Sequence, residues 1–241
     1  MSLRDNLQLG HYQPEDAIEG LKEYREILAY RFDEDRRRSK FSMADFWAHE
    51  KGQQWQDNVS CLLMLSGRNE RGVQSFKECW LSPMVADLIL DKLQKGQKVA
   101  FETCDEPSTL QVVLSRLIFQ LLEKSPLTIR KAEDNKKIHS YLVRPDPGRE
   151  EALSEALLSV INLQKEVVYI ILDRPELSQA DSLDSFAQIM LNVVKRAEVP
   201  LKVLIVYRAE LEEWTPSKKG TSKDSGKPQL CLTLRIDQER L

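Results

Sequence analysis

The residues best suited to chemistry lie between Gly67 and Gln74. Gly67-Arg68-Asn69-Glu70-Arg71-Gly72 has the G-x-x-x-x-G spacing of a loop whose backbone N–H groups cradle phosphates, and it follows the apolar run Cys61–Leu65. Such loops continue with Lys, which reaches the outer phosphates, and with Ser or Thr, whose hydroxyl holds Mg²⁺. Here those places hold Val73 and Gln74, and neither side chain can do either job. Arg68 and Arg71 carry charge that could meet a phosphate, although on a polar loop the same side chains would be solvated. A second candidate is Asp173, at the carboxyl end of the apolar run Val167–Leu172. An Asp at such a strand end can hold Mg²⁺ for phosphoryl transfer. Its neighbour is Arg174, and Glu176 follows a proline, so a magnesium ligand and a turn-capping Asp are both open readings. Arg208 closes the run Leu201–Tyr207, where it could sense a phosphate or pair with an acid such as Glu210.

Composition narrows the classes. The 241 residues are 41% hydrophobic and 30% charged, ordinary for a chain that buries a core. A formal charge of −3 and a pI near 5.8 argue against a nucleic-acid binder, whose basic face would show in the balance. No apolar run approaches a membrane span, and the start MSLRDNLQLG lacks the apolar centre of a signal peptide. A cytoplasmic protein with neither nucleic acid nor membrane as partner is expected. Cys61, Cys79, Cys104 and Cys231 form no C-x-x-C pair and read as free, mostly buried thiols. His11, His49 and His139 have no ligand-like spacing, so no metal centre is expected.

The elements that must position these residues alternate along the chain. Pro14–Tyr30 reads as a helix, with Pro14 in its first turn and Ile18, Leu21 and Leu28 inward. Asp33–Lys40 is a charge run, read as a solvated stretch rather than an anionic-surface patch. Phe41, Phe46, Trp47 and Trp55 could stack bases, but they suit better the anchoring of a peripheral helix. Strands are expected at Ser60–Leu65, Lys98–Cys104, Val167–Leu172, Leu201–Tyr207 and Gln229–Ile236. Between them the spacing predicts a helix capped by Ser82 with Pro83 at its first position, and one capped by Ser108 with a stripe from Leu110 to Leu122. Others are expected within 127–142, over Glu150–Leu163 and from Asp181 or Ser182. Thr215–Pro228 reads as an exposed loop of low complexity, and 237–241 as the start of a terminal helix.

Five strand–helix alternations predict an α/β fold: a three-layer, five-stranded, mostly parallel sheet flanked by helices (residues 55–241), with an N-terminal helical extension (1–54). Ligands of such sheets bind at the carboxyl ends of the strands, which here hold Ser66–Arg71, Asp105, Asp173 and Arg208. In order and spacing, LLMLSGRN (62–69), CWLSP (79–83), VVYIILDR (167–174), KVLIVY (202–207) and LRIDQERL (234–241) resemble a known family. It comprises the degenerate phosphate-loop ATPase-like domains of large fungal proteins, related to NACHT and other signal-transducing (STAND) ATPases. The resemblance implies a nucleotide-dependent switch or scaffold joined to other domains. With Val73, Gln74 and Arg174 in the decisive places, the expectation is a non-catalytic scaffold with no cofactor, partnered by proteins or by other domains of a larger chain. Its vestigial nucleotide site would comprise Gly67, Arg68, Asn69, Arg71, Gly72, Gln74, Asp173 and Arg208. The alternative is an atypical NTPase switch taking ATP and Mg, with Asp173 on Mg and Arg68 or Arg71 on phosphate.

Overall fold

Five apolar runs form strands: β1 (Cys61–Arg68), β2 (Lys98–Thr103), β3 (Val168–Asp173), β4 (Leu201–Arg208) and β5 (Cys231–Asp237). The computed structural model describes residues 3–33, 41–68, 79–104, 108–123, 132–143, 148–177, 182–208 and 230–237. The strands make one sheet in the order β2-β3-β4-β1-β5, with every pairing parallel. Side chains alternate between its faces, as the pleat requires. In β1, Leu62 and Met64 enter one core, while Cys61, Leu63 and Leu65 enter the other.

Helices cover both faces. On the Leu62 face lie α1 (Leu3–Leu7), α6 (Leu110–Glu123), α7 (Ala132–Leu142), α8 (Arg149–Asn162) and α9 (Ser182–Arg196). On the Leu63 face lie α2 (Pro14–Asp33), α3 (Met43–Ala48), α4 (Glu50–Asp57) and α5 (Ser82–Gln94). Strand order explains the division. The connection from β1 to β2 runs across the sheet in the opposite sense from those joining β2 to β3 and β3 to β4. Crossovers of one hand then put α5 on one face and α6–α9 on the other. The reversal also creates a topological switch point beside β1 and β4, where open α/β sheets bind ligands.

The helices before residue 58 are built into both cores. Leu7, Leu21, Leu28, Phe46 and Trp55 are buried, so the aromatic segment anchors helices as expected. Trp55 Nε1 also donates to the Val203 carbonyl oxygen at 2.9 Å. A Cβ on Gly52 would lie 2.0 Å from the Phe46 carbonyl oxygen, so only glycine lets α3 and α4 fold this closely together. The boundary expected at 54/55 falls inside α4, whose Trp55 belongs to the sheet's own core.

Two local expectations change. β1 runs three residues beyond Leu65, because Ser66 and Gly67 pair with β4 on one side and Ser66, Gly67 and Arg68 with β5 on the other. The cap of α5 is Leu81, with no side-chain bond; Ser82 is the first helical residue and its hydroxyl points elsewhere. At α6 Thr109 Oγ1 accepts from Val112 N at 3.3 Å, a capping oxygen next to the expected Ser108. All four cysteines are free thiols, and Cys61, Cys79 and Cys104 are buried. Residues 34–40 of the charge run, the loop 215–228 and the terminal stretch 238–241 lie outside the described residues.

Candidate functional site

Asp173 ends β3 with no solvent exposure, opposite Thr103 and Val206 in the sheet. Both carboxylate oxygens accept hydrogen bonds: Oδ1 from the Ser82 hydroxyl at 3.1 Å, and Oδ2 from the Tyr24 hydroxyl at 3.4 Å. Burial, then the Asp173 carboxylate, raise the Tyr24 pKa, so the phenol keeps the proton it donates. Three elements thus meet on one side chain: α2 supplies Tyr24, α5 supplies Ser82 and β3 supplies Asp173.

Arg174 follows with φ +60°, a backbone conformation that non-glycine residues rarely adopt. The residue is 1% exposed, and its guanidinium stands 5.8 Å from the centre of the Tyr24 ring. Burial works against its charge, but Asp173, then Tyr24 and Glu176, outweigh burial and hold its pKa above the ordinary arginine value. Next, a 3₁₀ turn, Pro175–Leu177, carries Glu176. Glu176 Oε1 accepts from the Arg208 backbone N–H at 3.1 Å, tying the turn to the end of β4. Its Oε2 is buried without a hydrogen-bond partner among the described residues. Burial lifts this carboxyl to about 7.

Of the residues expected from the sequence, Gly67, Asp173 and Arg208 sit at the carboxyl ends of the adjacent strands β1, β3 and β4. Gly67 lies within β1, opposite Arg208 and Ile236. A Cβ there would come 2.7 Å from Leu81 Cδ1 and 3.0 Å from Cys79 Sγ, so apolar packing alone gives a reason for a glycine here. Arg68 is the last residue of β1, opposite Asp237. Asn69, Arg71, Gly72 and Gln74, together with Asp105, lie outside the described residues.

Tyr24, Ser82 and Glu176 were not read as site residues. Tyr24 falls between Leu21 and Leu28 on the inward stripe of α2, so periodicity signals its burial, though not its partner. Ser82 carries a stronger signal. It is a hydroxyl at the start of the helix after β1, the kind of position from which phosphate loops hold Mg²⁺ together with an Asp.

A hydroxyl beside a carboxylate could in principle share a divalent cation, but the residues present fit one poorly. Tyr24 takes the second carboxylate oxygen, and the Arg174 guanidinium already supplies the counter-charge. Among the described residues, no three His, Cys, Asp or Glu side chains gather as a metal site. No helix among them is long and apolar enough to cross a membrane. No protein-family model matches the sequence, and no curated protein matches it either.

Proposed function

We propose that this chain is a non-catalytic interaction or scaffold module on a phosphate-loop-like α/β fold, with little or no ATP hydrolysis, acting through proteins or other domains of a larger chain. The observation that carries the reading is the closed set Tyr24–Asp173–Ser82 with Arg174 beside it. A carboxylate that accepts two protein hydroxyls and faces a buried guanidinium serves to lock α2 and α5 onto the sheet. The outer side of α2 supports an interaction role: Ile27 and Tyr30, one turn apart, are 49% and 67% exposed. An atypical NTPase switch is the second reading, favoured by the helix-start hydroxyl on Asp173. It would place ATP and Mg there, with Arg68 or Arg71 on the phosphates.

Phosphate release from Mg·ATP, measured for the parent and for Asp173→Ala, separates the two. The scaffold reading expects both at background. Release by the parent that Asp173→Ala abolishes would overturn it in favour of the switch.

A further inference from the structure

We infer that a cleft at the free edge of β2, apart from the Asp173 cluster, binds a small hydroxylated amine, about the size of a monosaccharide, in its monocationic form. The chain rounds this edge as it passes from α1, in one core, to α2, in the other. The passage leaves a cleft of about 290 Å³ among Tyr12, Asp16, Gly20, Glu102, Thr103 and Arg116. That is near the lower limit for small-molecule pockets and suits a single-ring compound.

The polar groups of the cleft are held in place. Arg116 pairs with Glu102, a buried carboxylate, and its guanidinium stands 5.0 Å from the centre of the Tyr12 ring. The Tyr12 oxygen accepts from Gln120 Nε2 at 2.6 Å. Gln120 is itself fixed to the open edge of β2, accepting from Phe101 N at 2.9 Å and donating to Phe101 O at 2.8 Å. The phenol proton therefore remains to be donated outward, and burial raises the Tyr12 pKa so that it is kept. Side chains fixed in this way lose little freedom when a ligand arrives.

Two further groups have spare capacity. Asp16 of α2 and Thr103 of β2 line the cleft, and their side chains make no hydrogen bond or ion pair among the described residues. Gly20 adds a separate observation. Glycine is the poorest helix former apart from proline, yet it sits inside α2, and a Cβ there would meet nothing within 4 Å. No neighbour among the described residues requires it, and its missing side chain keeps the cleft open.

Charge selects the ligand. Two carboxylates, Asp16 and Glu102, against one guanidinium, Arg116, leave one net negative charge. That favours a monocation and repels anions. Arg116, Tyr12 and Thr103 then offer donors and acceptors for hydroxyl groups.

The test uses three ring compounds of one size: glucosamine, glucose and glucuronate, titrated into the ¹⁵N-labelled full chain. Glucosamine should shift the Gly20 and Thr103 amides saturably at millimolar concentration, glucose about ten-fold more weakly, and glucuronate not at all. Gly20→Leu should fill the cleft and abolish the shifts while the rest of the spectrum stays dispersed. Asp16→Asn should reduce glucosamine to the level of glucose. No saturable response to glucosamine, equal binding of glucuronate, or undiminished binding in either variant would each overturn the assignment. None of these readouts passes through Asp173, so they stand apart from the test of the scaffold reading.

Discussion

Arg174 takes a left-handed backbone and buries a guanidinium against Asp173 and Tyr24. Removing one member of a buried pair of opposite charges commonly costs about 3–5 kcal/mol, because the other is left uncompensated. Asp173→Asn and Arg174→Met should each lose stability on that scale in urea unfolding, and the double variant should lose clearly less than the sum. Additive losses would show that the two side chains do not act together. Glu176 adds a pH dependence. Burial raises its carboxyl from an ordinary 4.5 to about 7, so the folded chain holds this proton more tightly than the unfolded one. Its stabilising contribution is complete below about pH 4.5 and is lost as pH rises towards 7. Glu176→Gln keeps an oxygen for the Arg208 N–H and should flatten that slope, making the chain more stable than the parent at pH 8 by at most about 3 kcal/mol. An unchanged slope would place the titration elsewhere. Gly67→Ala meets Leu81 and Cys79 and should lose about 1–3 kcal/mol through overpacking. A variant as stable as the parent would leave the glycine without a packing reason.

At the scale of elements, Lys202 shows what the sequence hides. It is the second residue of the apolar strand β4, yet its ammonium donates to the carbonyl oxygens of Trp55, Gln56 and Asn58 and so closes the end of α4. Burial lowers its pKa, and it is 5% exposed. Lys202→Met should lose about 2–4 kcal/mol in urea unfolding by stranding those carbonyls; a loss under about 1 kcal/mol would deny the capping role. The strands themselves were legible because each is a short apolar run, and α6 because its stripe keeps the helical period. What misled at β1 was local composition. Ser66-Gly67-Arg68 reads as a loop until strands on both sides pair with it. Ser82 misled in the same way: a good cap residue beside Pro83 leaves the cap to Leu81 because Asp173, 91 residues away, takes its hydroxyl.

Across the whole molecule, alternation of strands and helices announced a parallel sheet with two covered faces, but not its order. That order rests on which runs pair, and with it go the switch point and the meeting of α2, α5 and β3 on Asp173. The first helices are part of this closure, since Tyr24 reaches the carboxyl end of β3 from the segment expected to form an N-terminal extension. The central claim is that this meeting fills the position a nucleotide's cation would need. Thermal unfolding of the full chain with rising Mg·ATP tests it most directly, and the melting temperature should not move. A ligand at 100 times its Kd adds about 2.7 kcal/mol, worth about 5–10 °C for a chain of this size. A rise of that order, lost in Asp173→Ala, would contradict the claim.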